Sequence, residues 1–387
     1  MPLRVGVLGA GSWGTTVAAL ASHNVPTVLW SRRPETADEV NRAHTNERYL
    51  PKLRLPHALR ATASLEAAVS DADVIVMGVP SHSMRSTLLE VKKHVRPWVP
   101  VVSLAKGLEQ GSHLRMTEVI GEVLPDRRAG VLTGPNLARE IMGGLAAASV
   151  LAIDDEMIGR QLQDVFHSGM FRVYTNRDVI GCELGGALKN VIAIAVGMGD
   201  GLGVGDNTRS AVITRGLAEM TRLGVAMGGR AETFSGLAGM GDLIATCISP
   251  QSRNRHVGEQ LGRGRTIEEV TTSMHMVAEG VKTTRVVLEL AERHGLAMPI
   301  AREVYGVLYE GGSARGAYRG LVRTRPGDEA EPGCPRTGTF VQTSKRSATS
   351  SRLDVWTNVP AKARREVLHR VEARAGRSGP RSCPGSA

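Results

Sequence analysis

A lysine in an apolar setting is the first candidate for chemistry. Leu184, Leu188, Val191, Ile192 and Ala195 recur at the three- and four-residue steps of a buried helix face, and Lys189 sits inside that stripe with Asn190 beside it. Such a lysine either snorkels to water or lies in a partly desolvated cleft, where burial lowers its pKa and makes it a proton donor or acceptor. Gly197, Gly199, Gly201, Gly203 and Gly205 alternate directly after this helix, with Asp200 and Asp206 among them. That spacing suits backbone that packs closely or approaches a ligand.

Other polar groups stand where anions could be held. Gly9-Ala10-Gly11-Ser12-Trp13-Gly14 follows an apolar run and precedes a helical one. In that context GxGxxG is a dinucleotide fingerprint: Gly9 permits a tight turn, Gly11 lets the backbone approach a pyrophosphate, and Gly14 lets helix and strand pack closely. About 20 residues after Gly11, where a carboxylate would mark an NAD site, stand Ser31-Arg32-Arg33. The two arginines suit the 2′-phosphate of NADP, or form a solvated loop pair. Lys106-Gly107 ends an apolar run and either reaches across a crevice or lies on a surface turn. The cluster from Gly134 to Glu140 lies at another such end, Asp242 follows the small residues of Gly239-Met240-Gly241, and Ser252-Arg253-Asn254 precedes a helix. This last run reads as a helix cap or as an anion site built from cap, free N–H groups and guanidinium. No His/Cys/Asp/Glu grouping has metal spacing, so no metal is expected.

These residues need a scaffold, and its outline is periodic. Strands are expected at residues 3–8, 26–30, 59–62, 73–79, 99–105, 131–133, 147–153 and 171–174, with helices between most of them, as at 64–70, 82–94, 114–124 and 156–166. Alternation of strand and helix predicts an α/β fold, a doubly wound and mostly parallel Rossmann-type sheet whose carboxyl ends carry the ligand. After Asn176 the β signals stop. Helices are predicted at 180–197, 207–224, 235–248, 254–261, 266–273, 280–295 and 300–308, an all-α second domain closing over Lys189. The expected division is 1–177 for the dinucleotide domain, 178–322 for the helical domain and 323–387 for a basic tail.

Composition narrows the partners. The 387 residues are 42% hydrophobic, enough for two cores, and no apolar run reaches the roughly 18 residues of a membrane span. Four cysteines lie far apart without a CxxC pair, as in a reduced cytoplasmic protein. Of the net charge of +10, residues from Arg323 onward hold 13 Lys/Arg against 6 Asp/Glu, which leaves the body nearly balanced at 35 against 32. With only 3% aromatics as well, nucleic acid is not an expected partner.

Taken in order, GAGSWGTTVA, Lys106-Gly107, GPNLAREI, ELGGALKNVIAIAVGMGDGLGVGDNTRSAVITRGLAEM, GLAGMGDLIATC and SRNRHVG resemble the bacterial NAD(P)-dependent sn-glycerol-3-phosphate dehydrogenases, over residues 3 to about 322. The resemblance implies a dinucleotide domain followed by a helical domain. It also implies reversible reduction of dihydroxyacetone phosphate to sn-glycerol 3-phosphate for phospholipid synthesis, with NADP preferred and NAD as the alternative. By the same resemblance Lys189 is the catalytic acid/base, and Lys106 faces substrate and cofactor. Gly134 and Asn136 would contact substrate, Asn136 standing where the family usually has Ser. Asp242, Ser252, Arg253 and Asn254 would hold the substrate's hydroxyls and phosphate. Besides the fingerprint glycines Gly9, Gly11 and Gly14, the cofactor site would be lined by Ser12, Trp13, Arg32, Arg33, Tyr49, Lys106, Ala138, Arg253, Val277 and Glu279. A second copy of the chain is an open partner.

Beyond Leu321 the chain departs from the family and is rich in Pro, Gly, Ser and Thr without periodicity, which reads as disorder, with one short basic helix over 361–375. Two other classes stay open. One is a hydroxyacid or ketoacid reductase of the same plan that lacks a phosphate site. The other is a protein that senses the nicotinamide pool or docks on membranes.

Overall fold

Eight short runs rich in valine, leucine and alanine form one sheet. In the computed structural model, which describes residues 3–274 and 278–323, the strands are β1 (Val5–Leu8), β2 (Thr27–Trp30), β3 (Arg60–Thr62), β4 (Val74–Met77), β5 (Val101–Ser103), β6 (Ala129–Thr133), β7 (Ala147–Ile153) and β8 (Phe171–Asn176). Their order is β3-β2-β1-β4-β5-β6-β7-β8. All neighbours are parallel except β6 and β7, which pair antiparallel with Leu132 opposite Leu151.

Side-chain alternation along these strands feeds two cores. Val5, Val7, Val74, Val76 and Val102 belong to the core on one face, whereas Leu8, Ile75, Met77 and Val101 belong to the core on the other. A sheet buried on both faces needs apolar residues at every position, which is why β1 and β4 read as continuous apolar runs. The chain runs outward from β1 through β2 to β3, then returns to place β4 on the other side of β1. The switch point, and the crevice at the carboxyl ends of the strands, therefore lies between β1 and β4.

From Val179 the chain is helical. The helix Val179–Leu202 is started by the Asp178 side chain, which accepts the Gly181 N–H at 2.9 Å. Residues around its whole circumference are buried, the mark of a helix at the centre of a core. By length and composition it could cross a membrane, with a mean hydropathy of 1.6, but 89% of that stretch is buried inside the protein. Around it pack Asp206–Ala226, Asp242–Ile248, Arg253–Gly262, Glu279–Arg293, Pro299–Tyr309 and Ala314–Arg323.

Three sequence expectations are corrected here. The central helix runs on to Leu202 instead of stopping at Gly197, and Gly203 ends it in the left-handed conformation with φ 73°. The glycines do not interrupt it because they are its contact surface: a Cβ on Gly197 would lie 2.0 Å from the Arg255 carbonyl oxygen, and one on Gly258 2.0 Å from that of Ile194. Reciprocal backbone contact outweighs the helix propensity lost at glycine, about 1 kcal/mol per residue. Second, the single helix expected over 235–248 is two pieces, a wide π-turn at Leu237–Gly241 and the helix Asp242–Ile248, preceded by a separate turn of helix at Ala231–Phe234. Third, Pro34–Ala43 and Ala314–Arg323 are helices that periodicity did not single out. Val277 and the expected tail from residue 324 onward, with its basic helix, lie outside the described residues.

Candidate active site

Lys189 does not snorkel. It is 4% exposed, and its Nζ donates to Asp242 Oδ1 at 2.7 Å and to the hydroxyl of Thr246. Burial is the largest influence on it and lowers its pKa; the Asp242 carboxylate opposes that, the Lys106 charge adds to it, and the result is about 8. Asp242 is 2% exposed and opens its helix immediately after the π-turn, so the glycine-rich segment ahead of it serves to aim this carboxylate. Thr246 stands one helical turn further on the same face.

The second oxygen of Asp242 takes up the other lysine. Lys106 Nζ donates to Asp242 Oδ2 at 2.7 Å and to the Gly134 carbonyl at 2.7 Å. Lys106 follows β5 and Gly134 follows β6, so the sheet delivers both at the carboxyl edge where ligands bind. Two ammonium groups share one carboxylate. The cluster keeps an uncompensated positive charge in a mostly buried position, a setting that favours an oxyanion.

A line of hydrogen bonds ties the sheet to the helices behind this cluster. Asn190 Nδ2 donates to the Lys106 carbonyl at 3.0 Å, Asn254 Nδ2 to Asn190 Oδ1 at 2.9 Å, and the Gly280 N–H to Asn254 Oδ1 at 3.0 Å. Asn254 is thus already engaged on both ends of its amide. Ser252 caps the helix Arg253–Gly262 by accepting the Arg255 N–H at 3.2 Å, which leaves its hydroxyl proton to donate, and Arg253 next to it is exposed. Further along, Glu279 Oε1 accepts the Ser81 N–H at 3.2 Å, which brings the helical half onto the end of β4.

The glycine fingerprint fits a dinucleotide. Gly9 turns at φ 120°, and a Cβ on Gly14 would strike the Gly9 carbonyl at 2.0 Å, so both are needed for strand and helix to meet. Among the described residues no atom lies within 4 Å of where a Cβ on Gly11 would be, and no side chain caps the helix Ser12–Ser22 that follows. An open space in front of uncapped N–H groups is what a pyrophosphate requires. Arg32 and Arg33 are exposed at the end of β2, where Ser31 Oγ accepts the Arg33 N–H at 3.1 Å. Trp13 packs edge-on against Phe171, with an indole N–H that is buried and, among the described residues, without a partner. Tyr49 lies partly buried on a segment fixed to the fingerprint by Asn46, whose Nδ2 donates to the Ala10 carbonyl at 3.0 Å and to Thr15 Oγ1 at 2.9 Å. Ala138 starts the short helix Ala138–Met142.

The structure thus brings together Lys189, Lys106, Gly134 and Asp242, and links Asn254 and Glu279 to the same edge of the sheet. Sequence reasoning missed Thr246, Asn46 and Ser149, whose hydroxyl accepts from Asn136 Nδ2 at 3.0 Å. Thr246 could have been found as the polar residue four positions after Asp242; the other two carry no local signal. Among the described residues no group of three or more His, Cys, Asp or Glu could hold a metal. Cys182 and Cys247 are buried free thiols, the latter pushed up to about 12 by burial and so neutral beside Lys189.

Known proteins are similar to this chain in sequence and fold. The description of the NAD-dependent glycerol-3-phosphate dehydrogenase N-terminus matches residues 4–158, and that of the C-terminus matches residues 178–319. The chain is similar to glycerol-3-phosphate dehydrogenase (NAD(P)+) 2 of Sphingopyxis alaskensis, 63% identical over 333 residues that span 86% of this chain and 100% of that protein. It is 56% identical to the glycerol-3-phosphate dehydrogenase (NAD(P)+) of Mycobacterium avium over 84% of this chain and 96% of the other. Among solved structures, the glycerol-3-phosphate dehydrogenase of Coxiella burnetii superposes with a TM-score of 0.79 at 38% identity, covering 83% of this chain and 99% of that one. With both halves matched, and with the lysine cluster at the sheet edge that the two halves share, this chain belongs to the NAD-dependent glycerol-3-phosphate dehydrogenase family.

Proposed function

We propose that the chain catalyses the reversible NAD(P)H-dependent reduction of dihydroxyacetone phosphate to sn-glycerol 3-phosphate. The observation that carries the reading is the buried Lys189–Asp242–Lys106 cluster at the carboxyl edge of a dinucleotide-binding sheet. Lys189 is the proton donor to the carbonyl oxygen in reduction and the proton acceptor in the reverse direction. Its pKa of about 8 leaves it largely protonated at neutral pH yet able to give the proton up. Lys106 stabilises the charge that develops on the same oxygen, and Asp242 holds both ammonium groups in register.

The residues that would hold the cofactor are the fingerprint Gly9 to Gly14, with Tyr49, Ala138 and Glu279 along the crevice, and Arg32 and Arg33 toward a 2′-phosphate, which makes NADP the preferred form; Val277, which the resemblance adds to this set, lies outside the described residues. When bound, the reduced nicotinamide supplies the hydride that the ketone carbon accepts. Gly134, Asn136, Ser252, Arg253 and Asn254 hold and orient the substrate, Arg253 reaching its phosphate from the start of a helix. The product would serve glycerophospholipid synthesis in the cytoplasm, with the chain working as a homodimer.

The deciding experiment is NADPH oxidation by the purified chain with dihydroxyacetone phosphate, set beside an unphosphorylated ketoacid. Turnover of the phosphorylated ketone supports the reading. Turnover of the ketoacid alone would make the chain a different reductase, and turnover of neither would leave a binding protein.

A further inference from the structure

Ser149 is fully buried in β7, against the end of β6. Its hydroxyl has one proton, and that proton is donated to the Thr133 carbonyl at 2.8 Å. Toward Asn136 the hydroxyl can therefore only accept. Asn136 is obliged to present its NH2 group, and Nδ2 lies 3.0 Å from Ser149 Oγ. The other end of the amide follows: Oδ1 is buried and has no partner among the described residues. A hydroxyl at position 136 could rotate to donate or accept, whereas this amide offers the ligand an acceptor.

Buried acceptors in folded proteins are nearly always met. This one lies two residues from Gly134, whose carbonyl anchors Lys106, so a ligand in the lysine cluster is the group placed to meet it. Dihydroxyacetone phosphate has one hydroxyl donor, on the carbon next to the ketone; its carbonyl and its ionised phosphate oxygens accept. We propose that Ser149 is a positioning residue for substrate recognition, locking Asn136 so that Oδ1 receives the hydrogen bond of the substrate's hydroxymethyl group. The assignment rests on the reading of the chain as a dihydroxyacetone phosphate reductase and adds to it the origin of selectivity for that hydroxyl.

The test compares two ketones on the full chain: dihydroxyacetone phosphate, and the analogue with a methyl group in place of hydroxymethyl. NADPH binding is followed by fluorescence in every variant. The parent should favour dihydroxyacetone phosphate in kcat/KM by roughly tenfold to a hundredfold, the range for leaving one buried polar group unmet. Ser149→Ala should lose about tenfold on dihydroxyacetone phosphate and little on the analogue. Ser149→Thr, which keeps the hydroxyl, should restore the preference, and Asn136→Ala should abolish it, all with NADPH affinity unchanged. Equal losses on both ketones in Ser149→Ala, or a preference that survives Asn136→Ala, would overturn the assignment. The parent's own ratio and Asn136→Ala decide the matter if Ser149→Ala does not fold. Failure of the parent to reduce dihydroxyacetone phosphate at all would remove the underlying reading instead, and the assignment with it.

Discussion

Replacing Asp242 with Asn keeps the side chain's shape and removes the charge between two lysines. Asp242 Oδ1 lies 2.7 Å from Lys189 Nζ, and a unit charge pair at that separation is worth about 6 kcal/mol at an effective dielectric of about 20. One pKa unit corresponds to about 1.4 kcal/mol, so even a third of that energy moves Lys189 by more than about one unit. The direction is downward, because the carboxylate is the main influence that raises a pKa otherwise depressed by burial and by Lys106. Ketone reduction uses the ammonium form and falls as pH rises through the pKa of Lys189; alcohol oxidation uses the neutral amine and rises through it. In the parent both limbs should turn near pH 8, and in Asp242→Asn both should shift to about pH 7 or below. The assay is the pH profile of kcat in each direction, at saturating cofactor. A rate that simply falls, with its limbs where they were, would refute the claim that Asp242 tunes Lys189.

Three further outcomes follow from other parts of the molecule. Neutral residues at Arg32 and Arg33 should raise the Kd of NADPH by tenfold or more while leaving NADH within about twofold, since a guanidinium bond to phosphate contributes about 1.5–3 kcal/mol; equal losses would assign the pair to another part of the cofactor. Gly197→Ala would set a Cβ 2.0 Å from the Arg255 carbonyl oxygen, so the two helices must part at a cost of about 1–3 kcal/mol. Its Tm should fall by several degrees, and an unchanged Tm would mean that the crossing is looser than its geometry. Glu219 is buried, caps the helix Pro299–Tyr309 by accepting the Ile300 N–H at 2.7 Å, and has its pKa raised by burial to about 7. A raised folded-state pKa contributes stability below the unfolded value that is lost as pH climbs through the folded one, so Glu219→Gln should gain in Tm relative to the parent from about pH 4.5 to pH 7. A Tm difference independent of pH would contradict this.

Much of the fold was legible because it rests on local pattern. A strand buried on both faces leaves a continuous apolar run, as in β1 and β4, and the glycine turn after β1 follows from the close approach of strand and helix. Lys189 stood out because a charge in an apolar stripe demands a partner. The partner's identity was harder to read: Asp242 lies 53 positions away, and its aim depends on a π-turn that looks like ordinary helix in the sequence. The alternating glycines misled for a related reason. By propensity they end a helix, and only the carbonyls of a second helix, brought against them by the fold, make them its interior. Ser149 and Asn46 were invisible for the same cause, since each acts through one or two hydrogen bonds to residues distant in the chain.

The central claim is that Lys189 supplies the proton in ketone reduction, and Lys189→Ala tests it most directly. With dihydroxyacetone phosphate and NADPH, turnover should drop by about 10²- to 10⁴-fold, the range for loss of a general acid, while the Kd of NADPH stays where it was. Turnover within a few-fold of the parent would contradict the account, because no other described residue stands in its place against Asp242 and Thr246.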